Sequence, residues 1–432
     1  MTLHDLKNLR IAILGLGREG SSILNFLKDK GITPEIALDR CKPHEEIERT
    51  FLDKGVRVRY GDDYLDDLDG YDLIFRSPGI PRLHPKLLAV KDQAKISSST
   101  RLFFDLCPCR IIGVTGTKGK TTTSTLIYEI IRSSGRHVLL GGNVGEPALN
   151  LLEGLDGESL AVLEMSSFQL QDMTVSPHIA VLLNVTHDHI DLHHSFKAAS
   201  HDSYEEYVAA KQQIIAHQKP EDFAVLSEAL PATYQKIGAG RKIIARQSDA
   251  KAFSTKLIGE HNLANIAAAA AVAAILEIPE SMVKDAIGNF EPVQHRLKIV
   301  SAARGVTYVD DSASTDIDSS MAAIDAFPGR IIIILGGSDK NLDYGPLGKK
   351  IVSENKVKGV IAVGQVGPLI IDSLKGYQGK ILTGAKSMRE IVDQANSLAE
   401  SGDIVLLSPA AASFDMFKDA KDRGDQFIKL VR

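Results

Sequence analysis

The chain has 432 residues and a formal net charge of −5, with 44% hydrophobic and 24% charged residues. That length holds two or three domains with full cores, and the acidic balance offers no basic surface for nucleic acid or an anionic membrane. Three cysteines, Cys41, Cys107 and Cys109, suit a reducing compartment better than a disulfide framework. Cys107-Pro108-Cys109 lacks a second pair to complete a zinc site and reads as structural. The start, Met1-Thr2-Leu3-His4-Asp5, lacks the basic and apolar parts of a signal peptide. The most apolar stretch, residues 266–276, is Ala-rich and falls well short of the roughly 20 residues a membrane span needs. A cytoplasmic protein is expected.

In chain order, residues 9–14 form an apolar strand that runs into Gly15-Leu16-Gly17-Arg18-Glu19-Gly20. A helical pattern over 21–30 and a second strand over 33–38, ending at Asp39-Arg40, complete a βαβ unit. This is the pattern of a dinucleotide fold, with an acid roughly where a ribose partner belongs. The glycine spacing alone is a weak signal, because the same turn serves any pyrophosphate. Alternation continues with a strand over 71–76, the loop Ser77-Pro78-Gly79 at its carboxyl end and a helix over 85–91, so the first domain closes near residue 95.

The next strand is Ile111-Ile112-Gly113-Val114, followed by Thr115-Gly116-Thr117-Lys118-Gly119-Lys120-Thr121-Thr122 and a helix through 124–131. Gly116 and Gly119 let amides approach an anion, and the helix start adds free N–H groups and a positive dipole end. Lys120 can reach β- and γ-phosphate oxygens, and the Thr121 hydroxyl can ligate Mg²⁺. A standard P-loop has glycine where Val114 stands, so this is a variant loop. Further strands over 136–140, 160–163 and 179–184 deliver Gly141-Gly142-Asn143, Glu164-Met165-Ser166-Ser167-Phe168-Gln169 and Val185-Thr186-His187-Asp188-His189-Ile190-Asp191. A helix over 204–217 carries Lys211, a strand over 223–226 and a helix over 230–237 follow, and Gly259-Glu260-His261-Asn262-Leu263-Ala264-Asn265 enters the Ala-rich helix.

A third unit begins around Gln294-His295-Arg296, with strands over 307–309, 330–335, 360–363, 380–383 and 403–407. The fold class is therefore α/β, with three α/β domains: a Rossmann-like domain over 1–95, a central P-loop domain over 96–295 and a Rossmann-like domain over 296–432.

Among the candidate chemistries, His187-Asp188-His189-Ile190-Asp191-Leu192-His193-His194 misses the zinc hydrolase pattern His-x-His-x-Asp-His by one residue. A neighbouring P-loop and acidic strand end favour Mg²⁺, which prefers oxygen ligands. His189 is the ligand candidate, and His193 and His194 read as surface loop residues. Glu164 fits a Walker-B-like acid on Mg²⁺, with a helix-capping acid as the alternative. Spacing alone leaves Lys211 solvated, and the stretch around Asn262, like Asp310-Asp311-Ser312, is compatible with a simple helix cap.

Taken together, the Gly116–Thr121 loop, Glu164-Met165-Ser166-Ser167-Phe168-Gln169, Asn184-Val185-Thr186-x-Asp188-His189-x-Asp191, His261-Asn262-x-x-Asn265 and His295-Arg296 resemble the Mur ligases over essentially the whole chain. Ser-Ser-Phe-Gln, with Leu407-Ser408-Pro409-Ala410-x-Ala412-Ser413-x-Asp415-x-Phe417 and Arg423-Gly424, is similar to the branch that adds glutamate. The resemblance implies a monomeric, ATP-dependent amide ligase of peptidoglycan precursor synthesis that joins glutamate, in the D form, to UDP-N-acetylmuramoyl-L-alanine. Despite its glycine turn, the first domain would bind UDP through Leu16, Arg18, Asp39, Arg40, Ser77 and Gly79, with Gly142 and Asn143 on the sugar–peptide side. ATP would lie on Gly116, Thr117, Lys118, Gly119, Lys120, Thr121 and Thr122, with Asn265, Arg296 and Asp311 completing its site. Thr121 and Glu164 would hold one Mg²⁺; His189 and Lys211, the latter as a CO₂-derived carbamate, would hold a second. Thr315, Lys340, Ser413 and Phe414 would contact the amino acid.

The implied chemistry passes through an acyl phosphate, formed when the alanine carboxylate attacks the γ-phosphate and consumed by the glutamate amine. The third domain would close to exclude water. Two positions depart from the family pattern. Ala313 replaces a lysine in Asp311-Ser312-Ala313-Ser314-Thr315, and Ala420 replaces an aromatic residue. Both fall in the acceptor domain, which leaves another Mur-type amino-acid ligase as the nearest alternative. A nicotinamide oxidoreductase using Gly15–Gly20 would leave the P-loop without a role.

Overall fold

A computed structural model describes residues 2–187 and 201–432. Aliphatic and β-branched runs bounded by glycine become strands buried on both faces, as a parallel sheet covered by helices requires. The described residues hold three such sheets. The first comprises β1 (Ile11–Leu14), β2 (Ile36–Asp39), β3 (Arg57–Tyr60), β4 (Leu73–Arg76) and β5 (Ile96–Ser97), all parallel, in the order β3-β2-β1-β4-β5. Because β5 pairs with β4, Ile96 opposite Ile74, this sheet runs on through Ser97, just past the boundary expected near residue 95.

The second sheet comprises β6 (Arg110–Thr115), β7 (Val138–Gly142), β8 (Leu160–Glu164), β9 (Ile179–Leu182), β10 (Phe223–Ser227) and β11 (Arg241–Ala245), again parallel, ordered β11-β10-β9-β6-β8-β7. The third comprises β12 (Lys298–Ala303), β13 (Val306–Asp310), β14 (Ile331–Gly336), β15 (Val357–Val363), β16 (Lys380–Leu382) and β17 (Ile404–Leu407), ordered β12-β13-β17-β14-β15-β16. Only β12 runs antiparallel to its neighbour. The expected α/β architecture is thus present. The helix expected over 230–237 is instead a short 3₁₀ turn, Ala232–Lys236, entered from Pro231. Among the described residues no helix is long and apolar enough to cross a membrane.

By their contacts the residues fall into two compact units, Met1–Ser254 with Leu263–Gly288, and Thr255–Asn262 with Asn289–Arg432. The first unit carries two sheets on one continuous apolar core, which runs from Ile11 and Phe75 through Leu102 and Phe103 to Ile111, Leu163 and Ile214. A buried charge pair fastens the same two sheets. Arg76, 1% exposed at the carboxyl end of β4, places Nη2 2.5 Å and Nε 2.9 Å from Asp172 Oδ2. It also donates to the carbonyls of Phe168 and Ile80, while Arg82 Nε lies 3.2 Å from Asp172 Oδ1.

Removing Arg76 leaves the buried Asp172 with only the partly exposed Arg82 beside it. Arg76→Met should therefore cost about 3 kcal/mol of stability, read as a lower urea midpoint, and the companion change Asp172→Leu should restore much of it. Equal midpoints for wild type and Arg76→Met would show that the pair is energetically neutral.

Candidate functional site at the carboxyl ends of the first two sheets

Parallel strands deliver their following loops to one edge, where ligands of α/β sheets bind. At the end of β6 the loop folds over the start of the helix Lys120–Ser133. Asn184, just beyond β9, staples it: its side-chain oxygen accepts the Lys118 N–H at 2.8 Å, its Nδ2 donates to the Lys118 carbonyl at 3.0 Å, and its carbonyl accepts the Thr117 N–H at 2.8 Å. Gly119 caps the helix at φ 85°, and a Cβ there would lie 2.3 Å from Asn265 Oδ1. Glycine at 119 is therefore required both by its backbone and by the close approach of Asn265. Asn265 Oδ1 in turn accepts the Thr123 hydroxyl at 3.2 Å.

Two amines converge on this loop. Lys120 Nζ donates to the carbonyls of Gly116 at 2.9 Å and Thr117 at 2.8 Å. Lys211 Nζ, 1% exposed, donates to the same Gly116 carbonyl at 2.8 Å, with Thr115 Oγ1 at 3.5 Å. The expectation from spacing that Lys211 is solvated is overturned: the helix Tyr204–Ala216 turns Tyr207, Ala210, Lys211 and Ile214 inward. Tyr207, one turn before Lys211, was not singled out by the sequence. Its ring lies 4.8 Å from the Lys211 amine, and its hydroxyl is 2.8 Å from Thr117 Oγ1.

Glu164 ends β8 in register with Val114 of β6 and Gly142 of β7. It caps no helix. Ser166 caps the following turn, where Ser166 and Gln169 form a capping box. That box gives the Ser-Ser-Phe-Gln motif a structural task. Glu164 is 2% exposed; Oε1 accepts Asn143 Nδ2 at 2.8 Å, while Oε2 is buried with no hydrogen-bond partner among the described residues. A buried carboxylate oxygen left without a donor is costly unless a group outside the described residues meets it. That orphaned carboxylate oxygen suits a hard divalent cation, for which Lys211 as an ammonium is no ligand. His189, together with Asp188, Asp191, His193 and His194, lies outside the described residues. His187, within them, stacks on Tyr204 at 4.0 Å. No cluster of three or more His, Cys, Asp or Glu side chains with metal geometry occurs among the described residues.

A chain of hydrogen bonds links this edge to the first sheet. Arg18, at the start of the helix Arg18–Asp29, donates to the carbonyls of Gly142 at 3.0 Å and Asn143 at 3.2 Å. In the same turn Gly15 sits at φ 93° against Ser77. Leu16 N–H donates to Asp39 Oδ2 at 2.8 Å, and Cys41 N–H to Asp39 Oδ1 at 3.2 Å. Arg40 is exposed beside them, and Gly79 has open space where a side chain would stand. The structure thus gathers Leu16, Arg18, Asp39, Ser77, Gly142 and Asn143 along one edge with Glu164 and the phosphate loop.

The second unit has an edge of its own. Lys340 Nζ donates to the Thr315 carbonyl at 3.3 Å, Ala410 N–H to the Ser314 carbonyl at 3.0 Å and Ser338 N–H to the Ala412 carbonyl at 2.8 Å. These bonds bring the Thr315, Lys340 and Ser413 loops together. Ser413 is buried and Phe414 is 74% exposed, an aromatic face open to a ligand. Arg296 is exposed. Asp311, expected at the nucleotide, faces inward: it accepts the Leu297 N–H at 3.1 Å and the Ser408 hydroxyl at 2.7 Å.

The fold and the first edge define a phosphate-loop α/β protein with a buried acid and a buried lysine at one sheet edge. Family comparison agrees: the Mur ligase MurD-like N-terminal domain matches residues 9–97, the Mur ligase middle domain 114–243 and the Mur ligase glutamate ligase domain 295–411. The chain is 34% identical to a UDP-N-acetylmuramoylalanine--D-glutamate ligase of Acetivibrio thermocellus, covering 99% of this chain and 97% of that one. It is 36% identical to the enzyme of that name from Symbiobacterium thermophilum, with 98% and 97% covered. Among solved structures, MurF ligase from Thermotoga maritima in complex with ADP aligns at TM-score 0.59 and 17% identity over 100% of this chain and 96% of that one. MurF from Acinetobacter baumannii aligns at 0.60 and 16%, over 97% and 90%. The chain belongs to the Mur ligase family.

Burial raises the Asp311 carboxyl from 3.8 to about 7, against the lowering effect of the Ser314, Ser408 and Leu297 donors. An acid raised on folding contributes stability that is full below its unfolded value and lost as pH rises through the folded one. Asp311→Asn stays neutral, so it should flatten the fall in urea midpoint of this unit between about pH 4 and about pH 7. An unchanged slope would place the titration elsewhere.

Proposed function

We propose that this protein is an ATP-dependent amide ligase that joins D-glutamate to UDP-N-acetylmuramoyl-L-alanine, releasing ADP and phosphate, and that it works as a cytoplasmic monomer. The observation that carries the reading is the hydrogen-bonded run from Arg18 through Gly142 and Asn143 to Glu164, which joins a sugar-nucleotide edge to a phosphate loop within one compact unit. The full-length relatives that bear this activity in their names support the substrate assignment.

In this reading the loop amides of Gly116 to Thr122 and the start of their helix bind the triphosphate of ATP. Lys120 exchanges its present carbonyl partners for phosphate oxygens, so the loop itself stores the lysine near its target. Asn265 packs against Gly119, where a side chain would collide with it. Thr121, Glu164, His189 and Lys211 are the proposed holders of two Mg²⁺ ions, which supply charge neutralisation at the transferring phosphoryl group. Burial disfavours a charged amine, and the neutral form is the one that adds CO₂. Carbamylated Lys211 would then present oxygen where an ammonium could not serve as a ligand.

Leu16, Asp39, Arg40, Ser77 and Gly79 hold the UDP end, and Arg18, Gly142 and Asn143 orient the sugar–peptide arm toward the loop. Arg296 serves the nucleotide, and Asp311 acts through the loop that bears it, since its carboxylate fixes the Leu297 amide. Lys340 offers a cation for an anionic acceptor, beside Thr315, Ser413 and Phe414. The acyl phosphate formed on the alanine carboxylate must be kept from water until the amine attacks, because it hydrolyses readily.

Phosphate release should require ATP, UDP-N-acetylmuramoyl-L-alanine and D-glutamate together, and a panel of D- and L-amino acids should single out the last. Release driven by a different amino acid would reassign the acceptor, and NADPH fluorescence enhancement without ATP turnover would favour an oxidoreductase. Lys211→Ala should lower ligation by about a hundredfold or more and recover in part with added short-chain carboxylates. Wild-type rates in that variant would remove the carbamate from the mechanism.

A further inference from the structure

The sequence stretch Cys107-Pro108-Cys109 is left without a part in ligation. It joins the helix Ser99–Leu106 to β6, the strand that carries the phosphate loop at its other end. Cys107 closes that helix through its own N–H, which donates to the Phe103 carbonyl at 2.8 Å. Pro108 fixes the turn between the two thiols. Their sulfurs stand 3.6 Å apart, at van der Waals contact, and Cys107 Sγ lies 3.7 Å from the Cys109 carbonyl. Cys107 is partly exposed and Cys109 is buried against the core of the first unit. Structural zinc takes four ligands, and no cluster of even three candidate ligands occurs among the described residues.

We propose that Cys107 and Cys109 form a dithiol–disulfide centre, in which the accessible Cys107 sulfur attacks a small disulfide and the buried Cys109 sulfur resolves the adduct. The division of labour follows from the geometry. The two sulfurs lie within hydrogen-bonding reach of each other, an interaction that draws the Cys107 thiol below its ordinary range and holds the Cys109 thiol well above it, with burial adding to the latter. The thiolate that forms is therefore the one solvent can reach. Attack on oxidised glutathione makes the Cys107–glutathione bond, breaks the glutathione S–S bond and expels one glutathione thiolate. That thiolate takes the Cys109 proton; Cys109 then attacks the Cys107 sulfur and expels the second glutathione. Two protein thiols and one disulfide become one protein disulfide and two glutathione thiols, with no further oxidant. Cys41, exposed and more than sixty residues from the next cysteine in the chain, is an internal control that can capture glutathione but not release it.

The reduced full-length protein is treated with oxidised glutathione, alkylated and digested with trypsin, which leaves both thiols on the peptide between Arg101 and Arg110. The expected wild-type peptide is lighter by two hydrogens, carries neither glutathione nor alkyl group and reverts with dithiothreitol, while Cys41 retains glutathione. In Cys109→Ser, Cys107 should keep its glutathione; in Cys107→Ser, Cys109 should stay free. Wild-type protein that retains glutathione on Cys107, or leaves both thiols alkylatable while Cys41 is modified, overturns the proposal. The wild-type mass decides without any variant and without reference to ligase activity.

Discussion

The contact on which the first unit's site depends is the approach of Gly142 to the carbonyl of Glu164. A Cβ at 142 would sit 2.4 Å from that oxygen, and the backbone there runs at φ 105°. Only glycine accepts both conditions without strain. The close approach lets the next amide, Asn143, donate to the Glu164 carbonyl at 2.8 Å while its side chain holds Oε1 at the same distance. It also exposes the Gly142 carbonyl to Arg18. One tight approach of β7 to β8 therefore orients the acid through its first oxygen, leaves the second buried without a partner among the described residues and reaches across to the first sheet.

That reach is rigid because the first two sheets are packed as one body. Their shared apolar core supplies the bulk of the stabilisation, being proportional to area removed from water. The polar links supply direction. Arg76 and Asp172 fix the loop after β4 to the turn after Ser167, and Glu19 receives Ser99 and Gln169 from the other side. Buried His201 completes the support: its ring stacks on Phe168 at 5.0 Å and its Nε2 meets Ser167 Oγ at 2.9 Å. The carboxyl end of the first sheet is thus registered against the phosphate loop by packed side chains.

Much of this was legible before the structure. The central strands announce themselves by unbroken aliphatic runs, and the loops after β1, β6, β8 and β17 carry residue types with one dominant use at a strand end. What escaped was the edges. β3 reads Arg-Val-Arg-Tyr, β11 begins Arg-Lys, β5 is two residues long and β12 is solvent-facing, so none shows the apolar run of a central strand. Lys211 escaped for a different reason. The hydrophobic face of its helix is weak, and an amine among alanines looks solvated until tertiary packing places Tyr207 and the Gly116 carbonyl around it. The four-residue spacing of Tyr207 and Lys211 was the available signal. Asn184 was visible as a motif residue, but its side chain's imitation of a backbone partner to Lys118 is a three-dimensional fact.

The same logic separates the two readings of the glycine turn after β1. In a dinucleotide site the acid at the end of β2 is directed to a ribose diol and the turn's amides to a pyrophosphate. Here Asp39 meets the Leu16 amide with one oxygen and the Cys41 amide with the other. These two bonds fix the acid to the turn, and each carboxylate oxygen keeps a further lone pair for a ligand. Arg18, the first residue of the following helix, points its guanidinium at the second sheet rather than at a second nucleotide half-site. In the proposed reading a ligand here would run from the first sheet toward β7 and Glu164, the direction a sugar nucleotide must take if its far end is to be phosphorylated on the loop after β6. A dinucleotide would instead lie along the first sheet's own edge, away from the buried acid and the two amines that the rest of the unit is built to present.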